Sequence, residues 1–185
     1  MLLLIPAYLS IFGLRMNKKQ MHKVVLLLGS NQGSRSENLE QAIKMIRELV
    51  GKVRKISSVY LTQPWGFESP DAFLNQALLL HTSLEPTELL GVVQKIEKEL
   101  GRKRRINFYT SRTIDIDIIF YDQLVIEKPE LTLPHPLMQL RKFVLVPIFE
   151  ILPGYRHPVD GRTVEQMLDD CDDELKVELL GSNAV

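Results

Sequence analysis

The first strong pattern in the chain is an unbroken apolar run, Val24-Val25-Leu26-Leu27-Leu28, closed by the turn formers Gly29-Ser30-Asn31-Gln32-Gly33. Such a run predicts a buried strand over Lys23–Leu28. Leu39, Ala42, Ile43, Ile46, Leu49 and Val50 then recur at three- and four-residue spacing and predict an amphipathic helix that stops at Gly51. Val53, Ile56, Val59 and Tyr60 alternate loosely with polar residues and predict one strand over Lys52–Leu61, followed by a loop containing Pro64, Gly66 and Pro70. Phe73–His81 reads as a further strand. Pro86 opens a second helix on which Leu89, Val93, Ile96 and Leu100 share a face. A basic segment, Arg102–Arg112, leads into a strand over Thr113–Phe120 in which apolar and polar residues alternate at the start.

The order β-α-β-β-α-β predicts an α+β fold of ferredoxin-like type, an antiparallel sheet with both helices on one face. Residues 121–185 add a C-terminal extension with a short strand at Leu124–Ile126 and helices at Phe143–Ile151 and Thr163–Leu168. With 185 residues and no visible linker, the chain reads as a single domain over residues 23–185. Residues 1–22 precede it. Met1–Leu14 is uncharged and apolar but too short for a membrane span, and Arg15, Lys18 and Lys19 follow it instead of preceding it as in a secretory signal. This stretch reads as an N-terminal extension, with a membrane or partner anchor as the alternative.

Composition narrows the function classes. Lys+Arg and Asp+Glu are equal at 23 each, so the chain lacks the basic excess of a non-specific nucleic-acid binder, and any anion site has to be local. The single cysteine, Cys171, excludes an internal disulfide and a cysteine-rich zinc site and suits the cytoplasm.

The local site has candidates. Asp115 and Asp117 are two apart in a strand, so their carboxylates share a face while Ile114, Ile116 and Ile118 share the other. A solvated polar face is the ordinary reading of such a pair. Five basic and no acidic residues over Gly101–Arg112 change that, because guanidinium groups and a Mg²⁺ ion held by carboxylates both serve a polyphosphate. The Gly29–Gly33 loop has neither a P-loop ending nor a Gly-x-Gly-x-x-Gly pattern. Tyr60–Phe67 followed by Phe73-Leu74-Asn75-Gln76 mixes aromatics with amides, a set that suits a flat heteroaromatic ligand as well as a core. Two prolines stiffen Leu133-Pro134-His135-Pro136 around His135, whereas His22, His81 and His157 read as structural.

The joint pattern of Gly29-Ser30-Asn31, Tyr60-x-Thr62-x-Pro64-x-Gly66, Phe73-Leu74-Asn75, Gln94-x-x-Glu97, Gly101-Arg102, Arg112-x-x-Asp115-Ile116-Asp117-Ile118 and Leu133-Pro134-His135-Pro136 resembles the 6-hydroxymethyl-7,8-dihydropterin pyrophosphokinase family of folate biosynthesis. The resemblance covers residue 23 to about residue 165. It implies transfer of the β,γ-pyrophosphoryl group of ATP to the pterin's hydroxymethyl oxygen, with release of AMP. By the same resemblance Asp115 and Asp117 would hold two Mg²⁺ ions. Gln94, Glu97, Arg104, Tyr109, Arg112, Ile118, Thr132, His135 and Arg141 would line the ATP site, with Arg104 and Arg112 as catalytic guanidinium groups and no catalytic base. Thr62, Gln63, Trp65, Phe73, Asn75 and Phe143 would line the pterin site. The implied protein is a monomer with no nucleic-acid or membrane partner. Phe108 stands where the family usually has a basic residue, Thr110 where it has Gly or Ala, and Gln63 and Trp65 where smaller or proline-like residues are expected.

Two rival readings are separable. A ferredoxin-like RNA-binding module would carry aromatics on its central strands, and Thr113–Phe120 carries aspartates instead. A nucleotidyltransferase or an ordinary kinase would release pyrophosphate or ADP in place of AMP.

Overall fold

The computed structural model describes residues 19–66, 70–102 and 111–181. The apolar N-terminal stretch through Leu14 lies outside the described residues, as do Arg104, Phe108, Tyr109 and Thr110 of the basic segment. Strand β1 (His22–Ser30) runs through the middle of an antiparallel sheet, paired with β4 (Phe73–Thr82) on one side and β5 (Asp115–Tyr121) on the other. Beyond β4 lie β2 (Gly51–Ile56) and β3 (Tyr60–Thr62), both paired to it, and β8 (Val177–Leu179) pairs with β3. A separate ribbon joins β6 (Ile126–Lys128) to β7 (Leu131–Leu133). The architecture is therefore a mixed one of helices on an antiparallel sheet.

Helices α1 (Arg35–Leu49) and α2 (Pro86–Glu99) pack Leu39, Ile46, Leu89, Val93 and Ile96 against Val24, Leu26 and Leu28 of β1. The opposite face is also covered. There α3 (Lys142–Ile151) and α4 (Val164–Asp169) place Val144, Leu145, Ile148, Val164 and Met167 against Val25, Leu27, Ala77 and Leu79. Burial on both faces explains why β1 is apolar at consecutive positions instead of alternating. The C-terminal extension thus supplies the helical layer over the second face of the sheet. A register shift at Val25/Leu26 puts Ile119 and Phe120 both on the α3 side, while Ile114, Ile116 and Ile118 stay on the α1/α2 side.

Three strand expectations need correction. Lys52–Leu61 is two strands, because Ser57 and Ser58 divert the chain. Ser57 Oγ accepts from the Ala77 N–H (2.9 Å), and the Ser58 N–H and Oγ both donate to the Glu150 carboxylate on α3. The strand expected at Leu124–Ile126 begins only at Ile126, since Asp122 turns the chain at φ 44°. Its carboxylate takes the Lys23 N–H and the His22 ring at 2.7 Å each. Strand β8 has no apolar run to announce it. The charge-lined segment before β5 also runs longer than expected, and β5 starts at Asp115 rather than Thr113.

Gly51 opens β2 where the backbone of β4 comes close, and a Cβ there would lie 2.2 Å from the His81 carbonyl oxygen. Gly51→Ala is therefore expected to push β2 off β4 and to cost about 2 kcal/mol or more, read as a lowered thermal midpoint. An unchanged midpoint would show that this edge yields freely.

Candidate active site

The register of β1 places the chemistry-bearing residues. Gly29 pairs with Asn75 on one side and with Asp115 on the other, and Leu27 pairs with Ala77 and Asp117. Asn75, Gly29 and Asp115 therefore form one row across three strands, on the sheet face that α3 covers further along. By strand spacing the ends of that row are about 9–10 Å apart. Gly29 keeps its middle open, because a Cβ would stand 2.9 Å from Asn75 Oδ1. A cavity of about 350 Å³ lies over this row.

Thr62 and Phe73 stand beside Asn75, and Gln63, Trp65 and Phe143 also line the cavity. Asn75 is buried, and its Nδ2 donates to Thr62 Oγ1 at 2.7 Å, which fixes the amide plane. At the Asp115 end stand Asp117, Arg102, Arg112, His135 and Arg141. Arg102 Nη1 donates to both Asp115 and Glu97, and Arg112 Nη1 donates to the other oxygen of Asp115. Glu97 is itself buried and accepts the Ile116 N–H at 2.9 Å, so it anchors Arg102 from behind. Asn31 holds Arg112 in place by backbone: its Oδ1 accepts the Arg112 N–H at 2.7 Å, and its own N–H donates to the Arg112 carbonyl at 3.2 Å. The loop after β1, read by sequence as a plain turn, thus fixes the end of the basic segment.

The charges here are unevenly matched. Among the described residues no donor bonds the Asp117 carboxylate. Burial first, and the neighbouring Asp115 charge second, push its pKa from the usual carboxylate range up to about 7, against the pull of Arg112 and Arg102. Burial and the Arg141 charge push His135 down to about 4, so its ring is neutral at physiological pH. Its Nδ1 accepts the Leu137 N–H at 3.4 Å, which leaves the proton on Nε2. Arg112 Nε and Arg141 Nε are buried donors without a partner among the described residues. Guanidinium donors and an uncompensated carboxylate facing one cavity suit a polyphosphate with a hard cation. Among the described residues Asp115 and Asp117 are joined by no third acidic, histidine or cysteine side chain in a metal-binding cluster. Two carboxylates are the kind of set that Mg²⁺ uses when phosphates and waters complete its shell.

Of the residues singled out by sequence, Thr62, Gln63, Trp65, Phe73, Asn75, Arg112, Asp115, Asp117, His135, Arg141 and Phe143 meet in this one cavity. Four others do not line it. Glu97 lies behind Arg102, and Gln94 is half-buried on α2. Thr132 is exposed on β7, and the Ile118 side chain is buried in the core on the opposite face of the sheet. Arg102, Leu27, Gly29, Pro136 and Leu137 line the cavity without having been chosen. Arg102 was visible as the head of the basic segment, and only its distance from the aspartates in sequence hid its place.

A cavity that joins aromatic rings with carboxylates and guanidinium groups, built without a P-loop, suits a nucleotide-using transferase on an antiparallel sheet. The model of the 7,8-dihydro-6-hydroxymethylpterin-pyrophosphokinase (HPPK) family matches residues 25–153. A 2-amino-4-hydroxy-6-hydroxymethyldihydropteridine pyrophosphokinase of Porphyromonas gingivalis is 44% identical over 138 residues, 73% of this chain and 93% of its own length. Its namesake from Aquifex aeolicus is 44% identical over 146 residues, 79% of this chain and 90% of its own length. The chain belongs to the 7,8-dihydro-6-hydroxymethylpterin-pyrophosphokinase family. A Plasmodium falciparum HPPK-DHPS structure shares the fold at a TM-score of 0.67 and 17% identity, over 84% of this chain and 45% of that longer one.

The acidity of Asp117 has a measurable sign. Between about pH 4 and pH 7 the Asp117 carboxyl of the folded metal-free protein keeps a proton that the unfolded chain has released, so this group's contribution to stability falls as pH rises through that window. Asp117→Asn removes this dependence. Melts in a chelator are expected to show a mutant advantage that grows from pH 4 to pH 7 and then levels off, and a pH-independent difference would show that Asp117 is not held near neutrality.

Proposed function

We propose that this chain transfers the β,γ-pyrophosphoryl group of ATP to the hydroxymethyl oxygen of 6-hydroxymethyl-7,8-dihydropterin and releases AMP, in folate biosynthesis. The observation that carries the reading is the cross-strand row, which sets an amide edge and a carboxylate pair in one cavity on strand positions about 9–10 Å apart. In the reaction the hydroxymethyl oxygen bonds to the β-phosphorus, the bond between that phosphorus and the α–β bridging oxygen breaks, AMP leaves with that oxygen, and the hydroxyl proton is released to solvent.

Asn75, oriented by Thr62, meets the donor and acceptor edge of the pterin, and Phe73, Phe143 and Trp65 meet its faces. Gly29 leaves the hydroxymethyl arm clear passage toward Asp115. Arg112 and Arg141 offer buried in-plane donors to the phosphate oxygens, and neutral His135 adds an N–H without adding charge. Arg102 rests on Asp115 and Glu97 and so keeps the carboxylate oriented toward the cavity. Asp115 and Asp117 would hold Mg²⁺, two ions by the family's pattern. When bound, the metal offsets charge on the transferring phosphates. Arg104 and Tyr109 complete the proposed nucleotide site from the basic segment. We propose the ferredoxin-like arrangement for residues 23–185, a monomeric state and a cytoplasmic location. Among the described residues no helix is long and apolar enough to cross a membrane.

Incubation with Mg²⁺, ATP and hydroxymethyldihydropterin is expected to give AMP as the nucleotide product. ADP would mean an ordinary kinase, and free pyrophosphate would mean nucleotidyl transfer. Asp115→Asn is expected to lower turnover by about 100-fold or more, because charge stabilisation at the phosphates is lost. Turnover near that of the unchanged protein at saturating Mg²⁺ would remove Asp115 from the metal site. Asn75→Ala is expected to weaken pterin binding by roughly 1–3 kcal/mol, with ATP binding unchanged in calorimetric titration. Equal loss for both ligands would mean that the two ends of the cavity are assigned wrongly.

A further inference from the structure

Trp65 is the chain's single tryptophan, and it sits in the loop after β3, not on a strand. Its ring has a partner on the other wall of the cavity. The Arg141 guanidinium carbon lies 4.4 Å from the centroid of the Trp65 ring and 5.9 Å from that of Phe143. Arg141 is only 7% exposed, and among the described residues its guanidinium makes no ion pair and its Nε no hydrogen bond. A guanidinium removed from water without an anion is unfavourable, and an aromatic face offsets part of that cost. Stacking also has a direction. It engages the flat face of the guanidinium and leaves the N–H groups, which lie in its plane, for an anion in the cavity.

We propose that Trp65 is a positioning residue for both substrates at once: its indole walls the heteroaromatic end while holding the Arg141 guanidinium plane for the phosphates, and so couples the two binding events. This rests on the reading of Arg141 as a phosphate ligand and of Trp65 as a pterin wall. A loop ring that is ordered by one ligand need not be ordered again for the other. Whichever ligand arrives first lowers the ordering cost for the second, and by reciprocity the gain is the same factor in both directions. The side chain that departs from the family's expectation at this position is thus given a task. A smaller residue at position 65 would leave Arg141 with the Phe143 ring at 5.9 Å and without the closer indole face at 4.4 Å.

The test is calorimetric. Dissociation constants for hydroxymethyldihydropterin are measured alone and with saturating Mg²⁺ and a non-hydrolysable ATP analogue, for the unchanged protein, Trp65→Phe, Trp65→Leu and Arg141→Lys. The unchanged protein is expected to bind the pterin more tightly in the presence of the analogue. Trp65→Leu is expected to lose about 5- to 30-fold of that tightening, the fold-change of a desolvated cation–π contact. Trp65→Phe should keep most of it. Arg141→Lys should lose it like Trp65→Leu, since lysine keeps the charge without the flat face. The analogue alone should shift tryptophan emission in the unchanged protein but not in Arg141→Lys. Full tightening in Trp65→Leu or in Arg141→Lys overturns the proposal, as does a pterin affinity in Trp65→Leu that falls equally with and without analogue, which would make Trp65 a wall only. Should Trp65→Leu fail to fold, Arg141→Lys and the emission shift decide. A protein that forms no AMP from these substrates defeats the functional reading, whereas AMP formation with the coupling intact in Trp65→Leu defeats only the role given to Trp65.

Discussion

Antiparallel pairing of β1 with both of its neighbours is the constraint from which the site follows. Because side chains alternate along each strand, a slip of one residue in either pairing would send Asn75 or Asp115 to the opposite face of the sheet. The register is pinned from both directions by burial. Val24, Leu26 and Leu28 must meet α1 and α2, and Val25 and Leu27 must meet α3 and α4. The same packing that stabilises the sheet therefore fixes the distance between the amide end and the carboxylate end of the cavity. A polar site of this kind needs a rigid apolar floor, and β1 supplies it up to Gly29, where the side chain disappears.

Charge at the site is arranged so that the cost of crowding is shared. Asp115 is neutralised by Arg102 and Arg112, and Glu97 steadies Arg102 from inside the core. Asp117 accepts no hydrogen bond from Arg102 or Arg112, and burial and the Asp115 charge outweigh their pull and drive it toward its neutral form. Arg141 shows the complementary imbalance, a buried cation facing aromatic rings. An anionic ligand bringing its own divalent cation resolves both imbalances together, which neither ligand part would do alone.

Much of this was legible in the sequence, for identifiable reasons. The apolar run of β1, the periodicity of α1 and α2 and the alternation around Asp115 are local signals, and they locate the elements that carry the site. The ordered motifs brought the aromatic and carboxylate residues into one hypothesis before any contact was visible. What stayed hidden depends on pairing across long sequence separations. The second helical layer could not be read from Phe143–Ile151 alone, nor could the break at Ser57 and Ser58, which answers to Glu150 more than ninety positions away. Arg102 was seen as one of several basic residues, and only the fold shows that it rests on Asp115. Ile118 was drawn toward the nucleotide site by its motif, but the alternation it shares with Ile116 commits its side chain to the core.

The short strand β8 carries a consequence of a different kind. Strand β3 is only three residues long and would otherwise end the sheet with open backbone N–H and C=O groups, but Val177–Leu179 pairs along it and the Leu180 N–H adds a bond to the Val59 carbonyl at 2.8 Å. On the far side, the outward Ile119 carbonyl of β5 is taken by the His135 N–H at 3.0 Å. On the β3 side the margin thereby passes to the three-residue β8, the outermost strand of that path, and on the β5 side the chain's own C-terminal half satisfies one margin carbonyl. An open strand margin is a template for another chain, so these two segments act as guards against edge-to-edge aggregation. Proteolytic trimming before Val177 would leave the cavity's residues in place and yet bare the backbone groups of β3 to neighbouring chains.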